Sequence, residues 1–147
     1  MLSSTAEYAL RAIVHLATSP ESHCTAAAIA EKTKVPAGYI SKVLQDLARE
    51  GIVLSQRGPN GGFLLARAPE KISLLEVINA VDPICRITEC PLGIPGHGKN
   101  LCPLHSSIDA AAALLERHYG NTTVEEMARE SRSGTRCLFP VAHPKST

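Results

Sequence analysis

Tryptophan is absent from this chain of 147 residues, and aromatic residues make up only 3% of it. So few aromatic side chains argue against the stacking platforms that hold single-stranded nucleic acid. The sequence also lacks an apolar run long enough to span a bilayer, and residues 1–5 lack the basic start of a signal peptide. These absences predict a cytoplasmic protein without membrane contact, whose five cysteines stay reduced and serve metal or redox chemistry.

A strong net charge is missing too, because the chain carries only +1. The charge is unevenly distributed, however. Residues 32–67 contain six lysines or arginines and two acidic residues, whereas residues 68–147 contain eight basic and nine acidic residues. A local excess of positive charge is the electrostatic footprint that a surface for duplex DNA needs.

The basic segment begins with a predicted helix from Pro36 to Glu50, followed by Gly51. Apolar residues at helical spacing predict one buried stripe: Ile40, Val43, Leu44 and Leu47. The opposite face carries groups that can hydrogen-bond to phosphates or base edges: Tyr39, Ser41, Lys42, Gln45 and Arg49. This pattern is typical of a helix that packs on a core and reads DNA.

Two short apolar runs follow, around residues 57–62 (Arg-Gly-Pro-Asn-Gly-Gly). They predict a hairpin around residues 57–62, because Asn60-Gly61 tolerates positive φ. Upstream, Thr25 caps a short helix over residues 26–32, and a three-residue turn joins it to the next helix. The sequence therefore predicts a winged helix-turn-helix whose DNA contacts include Arg57, Asn60 and Gly61. An ordinary helix and hairpin in a globular core is the alternative.

The remaining pattern predicts a mainly α fold with a small β-hairpin. A first helix runs from the cap residues 3–5 to about Thr18, and Ser73 opens a helix to about Val81 through a capping box. The longest helix runs from Pro103 to about Tyr119, and a second capping box at residues 122–125 starts a short helix. Because the long helix is rich in alanine and lies outside the DNA-binding unit, we expect it to form a homodimer; packing within the monomer is the alternative.

These elements divide the chain into four segments. Residues 1–82 form the winged helix-turn-helix DNA-binding domain, and residues 83–102 form a metal- or cluster-binding loop. Residues 103–131 hold the dimerisation helix and the short C-terminal helix, and residues 132–147 are a flexible tail. A loop of about twenty residues in a small domain is usually functional or disordered.

Metal-binding side chains are concentrated in and beside this loop. They are Cys85, Cys90, His97, Cys102 and His105. Cys102 and His105 lie three residues apart at the start of the long helix, so their side chains share one face and suit one ion. Thiolate and imidazole together favour zinc or an iron–sulphur cluster. Unliganded thiols and surface histidines are the alternative.

Four stretches resemble the winged-helix transcriptional repressors that include IscR and NsrR. They are residues 6–10, the helix from Pro36, residues 57–63 and residues 74–82. The resemblance runs from residue 1 to about residue 130, and its most specific motif is the Arg-Gly-Pro-x-Gly-Gly wing. It implies a homodimeric regulator of double-stranded DNA, whose loop holds an iron–sulphur cluster in some family members and none in others.

The resemblance also implies cluster ligands. Members with a cluster place three cysteines in the loop, and the fourth ligand is a following histidine or an acidic residue from the partner's first helix. Cys90 and Cys102 match the outer cysteines, His105 matches the histidine, and Glu7 matches the acidic position. This alignment implies a [2Fe–2S] or [4Fe–4S] cluster.

The middle cysteine of that pattern is absent. Gly96 stands in its place, with His97 beside it and Cys85 as an additional thiol upstream. We therefore expect a repressor that senses redox state, nitric oxide or iron–sulphur status through a cluster. The alternative is a regulator with structural zinc or a thiol-redox loop. An enzyme is not expected, because nothing near Cys102 and His105 supplies an oxyanion hole or a phosphate cradle.

Overall fold

Six α-helices and one antiparallel hairpin form the regular structure of the residues that the computed structural model describes, which are 2–18 and 22–133. The helices are α1 (Ser4–Thr18), α2 (Ala26–Thr33), α3 (Ala37–Arg49), α4 (Leu74–Val81), α5 (Pro103–Gly120) and α6 (Val124–Arg132). The strands are β1 (Val53–Gln56) and β2 (Gly62–Leu65), and a 3-10 turn spans Pro69–Lys71. The predicted fold class, mainly α with a small hairpin, is confirmed.

Small side chains place α1 at the centre of the core. Ala6, Ala9 and Ala12 are fully buried, which lets the neighbouring helices α3, α4 and α6 approach its axis closely. Ser3 caps the helix, since its hydroxyl oxygen accepts a hydrogen bond from the amide of Ala6. The helix begins and ends where the sequence predicts.

The helix-turn-helix unit follows from local signals. The hydroxyl of Thr25 accepts the amide of Ala28 at 3.2 Å, which caps α2 as predicted. Lys34 ends α2 in the left-handed conformation with φ of 59°. Pro36 then caps α3, whose apolar stripe is buried as predicted: Ile40, Val43, Leu44 and Leu47. The exposed face of α3 is therefore fixed by the packing of the opposite face.

The hairpin of the wing turns within residues 57–62, as the sequence predicts. The amide of Gly61 donates to the carbonyl of Gly58 at 3.0 Å, so the turn spans residues 58–61 with Pro59 at its second position. The positive φ angles fall at Gly58 (109°) and Gly62 (149°), so the expected use of positive φ at Asn60-Gly61 is wrong. Proline fixes φ near −65°, which favours this placement of the turn.

Cys24 pairs with β2 of the hairpin through an isolated antiparallel bridge to Phe63. Its amide and carbonyl exchange hydrogen bonds with Phe63 at 3.0 and 2.8 Å. A Cβ atom on Gly62 would lie 2.7 Å from the carbonyl oxygen of Cys24, so this close approach requires glycine. Burial raises the pKa of the Cys24 thiol, whose side chain packs against the core.

A capping box begins each of α4 and α6, and the two helix starts are hydrogen-bonded to each other. Ser73 and Glu76 form the first box as predicted, but the second uses Thr123 and Glu126, so its prediction at residues 122–125 is displaced by one residue. The hydroxyl of Thr122 instead donates to the carbonyl of His118. Two backbone hydrogen bonds, each 2.9 Å long, connect the two helix starts and fix this register. The amide of Leu74 donates to the carbonyl of Thr122, and the amide of Val124 donates to the carbonyl of Ile72.

The last helix, α6, packs against α1 and the core around it. Val124 and Ala128 of α6 are fully buried against the core, and α6 lies along α1. The sequence analysis groups α6 with the dimerisation helix in residues 103–131. In the structure, α6 instead belongs to the core of the preceding segment. Of the predicted tail, Arg132 still belongs to α6, and residues 134–147 lie outside the described residues.

The long helix α5 has a different environment. It packs on α4, yet none of its residues is buried. Leu104 and Leu114 are 63% and 60% exposed, and Ile108, which lies one turn after Leu104, is exposed as well. Tyr119, near the end of the helix, packs against the core. None of the helices in residues 2–18 and 22–133 combines the length and apolarity that crossing a bilayer requires.

Candidate nucleic-acid interface and metal centre

The predicted DNA-facing side chains of α3 all lie on its exposed surface. They are Tyr39, Ser41, Lys42, Gln45 and Arg49. Tyr39 is 58% exposed, and the edge of its ring packs against Tyr8 of α1 with the ring centroids 5.9 Å apart. This contact orients a large hydrogen-bonding side chain without burying it.

Asp46 organises the charge of this face. Its carboxylate accepts hydrogen bonds from Lys42 at 3.2 Å and from Arg49 at 3.0 Å. The Asp46 side chain is only 13% exposed, whereas both cations are mostly exposed. The carboxylate therefore lies behind two cations that remain accessible to phosphate. The spacing of i, i+4 and i, i+3 in the sequence is the signal that identifies this arrangement.

The wing presents a free guanidinium. Arg57 is exposed and makes no ion pair with any residue in the part of the chain that the structure describes. Asn60 is exposed beside it, whereas Gly61 is half-buried. A Cβ atom on Gly61 would lie 2.2 Å from the carbonyl oxygen of Gln56, so Gly61 is required by the hairpin itself. Arg57 and Asn60 are the wing side chains available to a ligand.

Three of the predicted metal-binding residues come together. The ligand atoms of Cys90, Cys102 and His105 all lie within 4.8 Å of one another. Nδ1 of His105 is 3.1 Å from Sγ of Cys102 and 3.8 Å from Sγ of Cys90. Cys102 caps α5 and His105 lies in its first turn, so the helix start fixes both residues. This juxtaposition suits a metal centre.

The loop folds back and places a second histidine beside Cys90. The amide of Cys90 donates to the carbonyl of Gly98 at 3.0 Å, which closes a turn that contains His97. Nδ1 of His97 lies 3.6 Å from Sγ of Cys90. Hydrogen bonds from the Leu92 amide and from His97 lower the pKa of the Cys90 thiol to about 6, although its burial opposes this. The thiolate, the form that binds metal, is thereby favoured.

Two other predicted ligands lie outside this group. Cys85 is exposed, and its thiol donates to the carbonyl of Pro83. Glu7 is an exposed residue of α1 and forms an ion pair with Arg11. A contribution from Glu7 of the partner subunit stays a prediction.

Sequence reasoning missed the anchor of this loop. Arg86 binds Asp109 of α5 through two hydrogen bonds of 2.7 Å and also reaches Glu116 at 3.1 Å. The amide of Ile87 donates to the same carboxylate at 2.8 Å. Arg86 and then Ile87 hold the pKa of Asp109 at about 2. No local pattern could have identified a pairing of residues 23 positions apart.

Comparison with known proteins places this architecture. The sequence profile of the Rrf2 family, described as an iron-dependent transcriptional regulator, matches residues 2–130. An HTH-type transcriptional regulator of Aquifex aeolicus is 28% identical over 145 residues, covering 97% of this chain and 99% of that protein. The regulator IscR of Xenorhabdus nematophila is 30% identical over 129 residues, covering 87% of this chain and 79% of IscR.

A solved structure supports the same fold. IscR of T. potens superposes with a TM-score of 0.75 at 20% identity, covering 93% of this chain and 92% of that one. The family and these relatives are described as transcriptional regulators, not as enzymes. The resemblance seen in the wing and helices is thus confirmed. The chain belongs to the Rrf2 family of winged-helix transcriptional regulators.

Proposed function

We propose that this protein is a homodimeric, cytoplasmic transcriptional repressor that binds duplex DNA and is controlled by a metal centre in its loop. One observation carries the DNA-binding part. The helix α3 packs on the core through its apolar stripe, which leaves five of its hydrogen-bonding side chains exposed. The hairpin that follows carries Arg57, which has no ion-pair partner among the described residues. An exposed polar helix face beside a cationic hairpin is the arrangement that major-groove recognition requires.

The side chains of α3 divide by chemistry. Tyr39, Ser41 and Gln45 can hydrogen-bond to base edges, and Lys42 and Arg49 can neutralise phosphates. On the wing, Arg57 and Asn60 reach the flanking backbone or minor groove, where a narrow groove attracts arginine. Gly61 contributes to this contact through the hairpin geometry that it permits.

The exposed apolar residues of α5 support the homodimer. Leu104 and Ile108 lie one helical turn apart on one face of α5, and both side chains are exposed. Exposed aliphatic side chains on one helix are stabilised when a second copy covers them. A twofold dimer reads a pseudo-palindrome, with half-sites one helical turn or a multiple apart.

The metal centre supports control of this binding. The loop connects α4, which packs on the DNA-binding core, with α5. A centre held by Cys90, Cys102 and His105 would fix the start of α5 relative to the loop. The family resemblance implies an iron–sulphur cluster there, whose loss or oxidation would report iron status, redox state or nitric oxide. The second candidate, a regulator with a single bound ion, is favoured by the closeness of the ligand atoms.

Selection of DNA from a random duplex library tests the proposal. We expect the purified protein to enrich a pseudo-palindrome, and the variant Gln45→Ala to lose this enrichment or alter its sequence. Glu31→Ala is the matched control, because Glu31 is an exposed residue of α2 outside the proposed interface. Failure to enrich any sequence, or identical enrichment by wild type and Gln45→Ala, would refute the role assigned to α3.

A further inference from the structure

We propose that the loop binds a single tetrahedral divalent ion of the zinc class, held by Cys90, His97, Cys102 and His105, in place of an iron–sulphur cluster. The inference deepens the proposed function, since it rests on the loop being a metal centre. It identifies the kind of metal centre, a single ion or an iron–sulphur cluster, that these residues can hold.

The distances between ligand atoms fit one ion. A zinc ion binds thiolate sulfur at about 2.3 Å and imidazole nitrogen at about 2.0 Å, so tetrahedral geometry puts sulfur and nitrogen about 3.6 Å apart. Three of the four sulfur–nitrogen pairs in this set are in contact: 3.6 Å from Cys90 to His97, 3.8 Å from Cys90 to His105, and 3.1 Å from Cys102 to His105. Each lies near the separation that a shared ion imposes.

The same distances do not fit a cluster. In a [4Fe–4S] cluster each protein ligand binds a different iron, and in a [2Fe–2S] cluster each iron takes only two protein ligands because sulfides fill the other positions. The irons and bridging sulfides keep ligands on different irons far apart, and three ligand atoms that are mutually within 4.8 Å lie closer together than that arrangement favours. The residues present suit an ion smaller than a cluster.

His97 is the fourth ligand in this assignment: it contacts Cys90 but lies outside the group formed by Cys90, Cys102 and His105, so it must move towards Cys102 and His105 when the ion binds. His97 replaces the middle cysteine of the cluster-binding pattern, and its neighbour Gly96 has φ of 89° and no side chain to offer. The bond from Cys90 to Gly98 brings the histidine back to the Cys90 sulfur. Two thiolates and two imidazoles form the Cys₂His₂ set of structural zinc sites, and the two thiolate charges balance a divalent ion.

Metal and sulfide analysis tests the assignment directly. The full-length protein is purified anaerobically from cells supplied with both iron and zinc. We expect one metal ion per subunit and no acid-labile sulfide. Replacing the ion with Co²⁺ should give the intense visible absorption of a tetrahedral thiolate site. Stoichiometric iron with labile sulfide would overturn the proposal, as would a protein that retains no metal and binds no Co²⁺.

Variants test the role of His97. We expect His97→Ala to weaken Zn²⁺ affinity by at least about tenfold, the loss that even outer-shell partners of a metal cause. His118→Ala is the control, because His118 is an exposed histidine of α5 whose ring packs on Tyr119. Equal Zn²⁺ affinity of His97→Ala and wild type would overturn the ligand set. A protein with labile sulfide that still enriches a pseudo-palindrome would refute the single ion and leave the DNA-binding proposal intact.

Discussion

Asp46 is a residue whose removal should strengthen DNA binding. Its carboxylate pairs with Lys42 and Arg49 and adds negative charge behind the phosphate-facing surface of α3. We expect Asp46→Ala to raise the affinity for non-specific duplex DNA. The slope of log affinity against log salt should steepen by up to about 0.9 for each additional phosphate that the released cations neutralise. Fluorescence anisotropy over a salt series measures both quantities.

The control for this prediction is Glu130→Ala, which removes an exposed carboxylate from α6. It changes net charge equally but lies outside the interface. Equal effects of the two variants would mean that net charge alone acts. An unchanged affinity for Asp46→Ala would contradict the assignment of Lys42 and Arg49 to phosphates.

Arg57 tests the wing. If the guanidinium of Arg57 reads a base, Arg57→Ala should cost about 1–3 kcal/mol of binding free energy on the selected site. If it contacts only phosphate, the slope of log affinity against log salt should become smaller by about 1. The control is Lys71→Ala, which removes an exposed cation from the 3-10 turn Pro69–Lys71, outside the hairpin. Binding by Arg57→Ala equal to wild type at every salt concentration would exclude the wing from the interface.

Among the elements, the loop and α5 are joined by the pairing of Arg86 with Asp109. The pKa of Asp109 is lowered to about 2 by Arg86 and then by the amide of Ile87, against an ordinary value of 3.8. A depressed carboxyl pKa stabilises the folded state above pH 3.8, and this stabilisation is lost as the pH falls through about 2. The attachment of the loop should therefore persist through mildly acidic solution.

An NMR titration of the Ile87 amide measures this, because that amide donates to the Asp109 carboxylate. We expect its chemical shift to follow a midpoint well below 3.8 in the wild type and closer to 3.8 in Arg86→Ala. Arg117→Ala, an exposed arginine on the same helix, should leave the midpoint unchanged. An Ile87 midpoint that is the same in Arg86→Ala and wild type would refute the pairing.

The elements also show what the sequence could predict. The bounds of α3 follow within one residue from its apolar stripe, Pro36 and Gly51, because all three signals act locally. The second capping box is displaced because Thr122 and Thr123 can both cap a helix, and the choice is made by backbone bonds to residues 72–74. In the wing, contact with Cys24 requires glycine at position 62, and local sequence carries no signal for that contact.

The candidate metal centre is predictable only in part for the same reason. Cys102 and His105 follow from helical spacing, since the helix start fixes both. Cys90 joins them only because the loop folds back, a long-range event that the family resemblance indicates and the spacing alone does not. Local spacing also could not place Cys85 outside the group, and it could not identify Arg86 as the anchor of the loop.

For the whole molecule, the exposed apolar residues of α5 predict a dimer. Replacing Ile108 with arginine should place a charge in the interface, so we expect Ile108→Arg to sediment as a monomer at micromolar concentration and to bind the pseudo-palindrome more weakly. Ser106→Arg is the control, because position 106 is exposed on the opposite side of the same helix. A wild-type monomer, or a dimer that persists in Ile108→Arg, would contradict the interface.

Coupling between the metal centre and DNA is the central claim, and one measurement tests it most directly. The affinity for the selected DNA site is compared between metal-loaded and metal-stripped protein, in the wild type, in the double variant Cys90→Ala, Cys102→Ala, and in Cys85→Ala as the control. We predict a difference of about 5–150-fold, or 1–3 kcal/mol, in the wild type and in Cys85→Ala, and none in the double variant. Equal wild-type affinities with and without metal, or a double variant that keeps its metal and its response, would contradict the account.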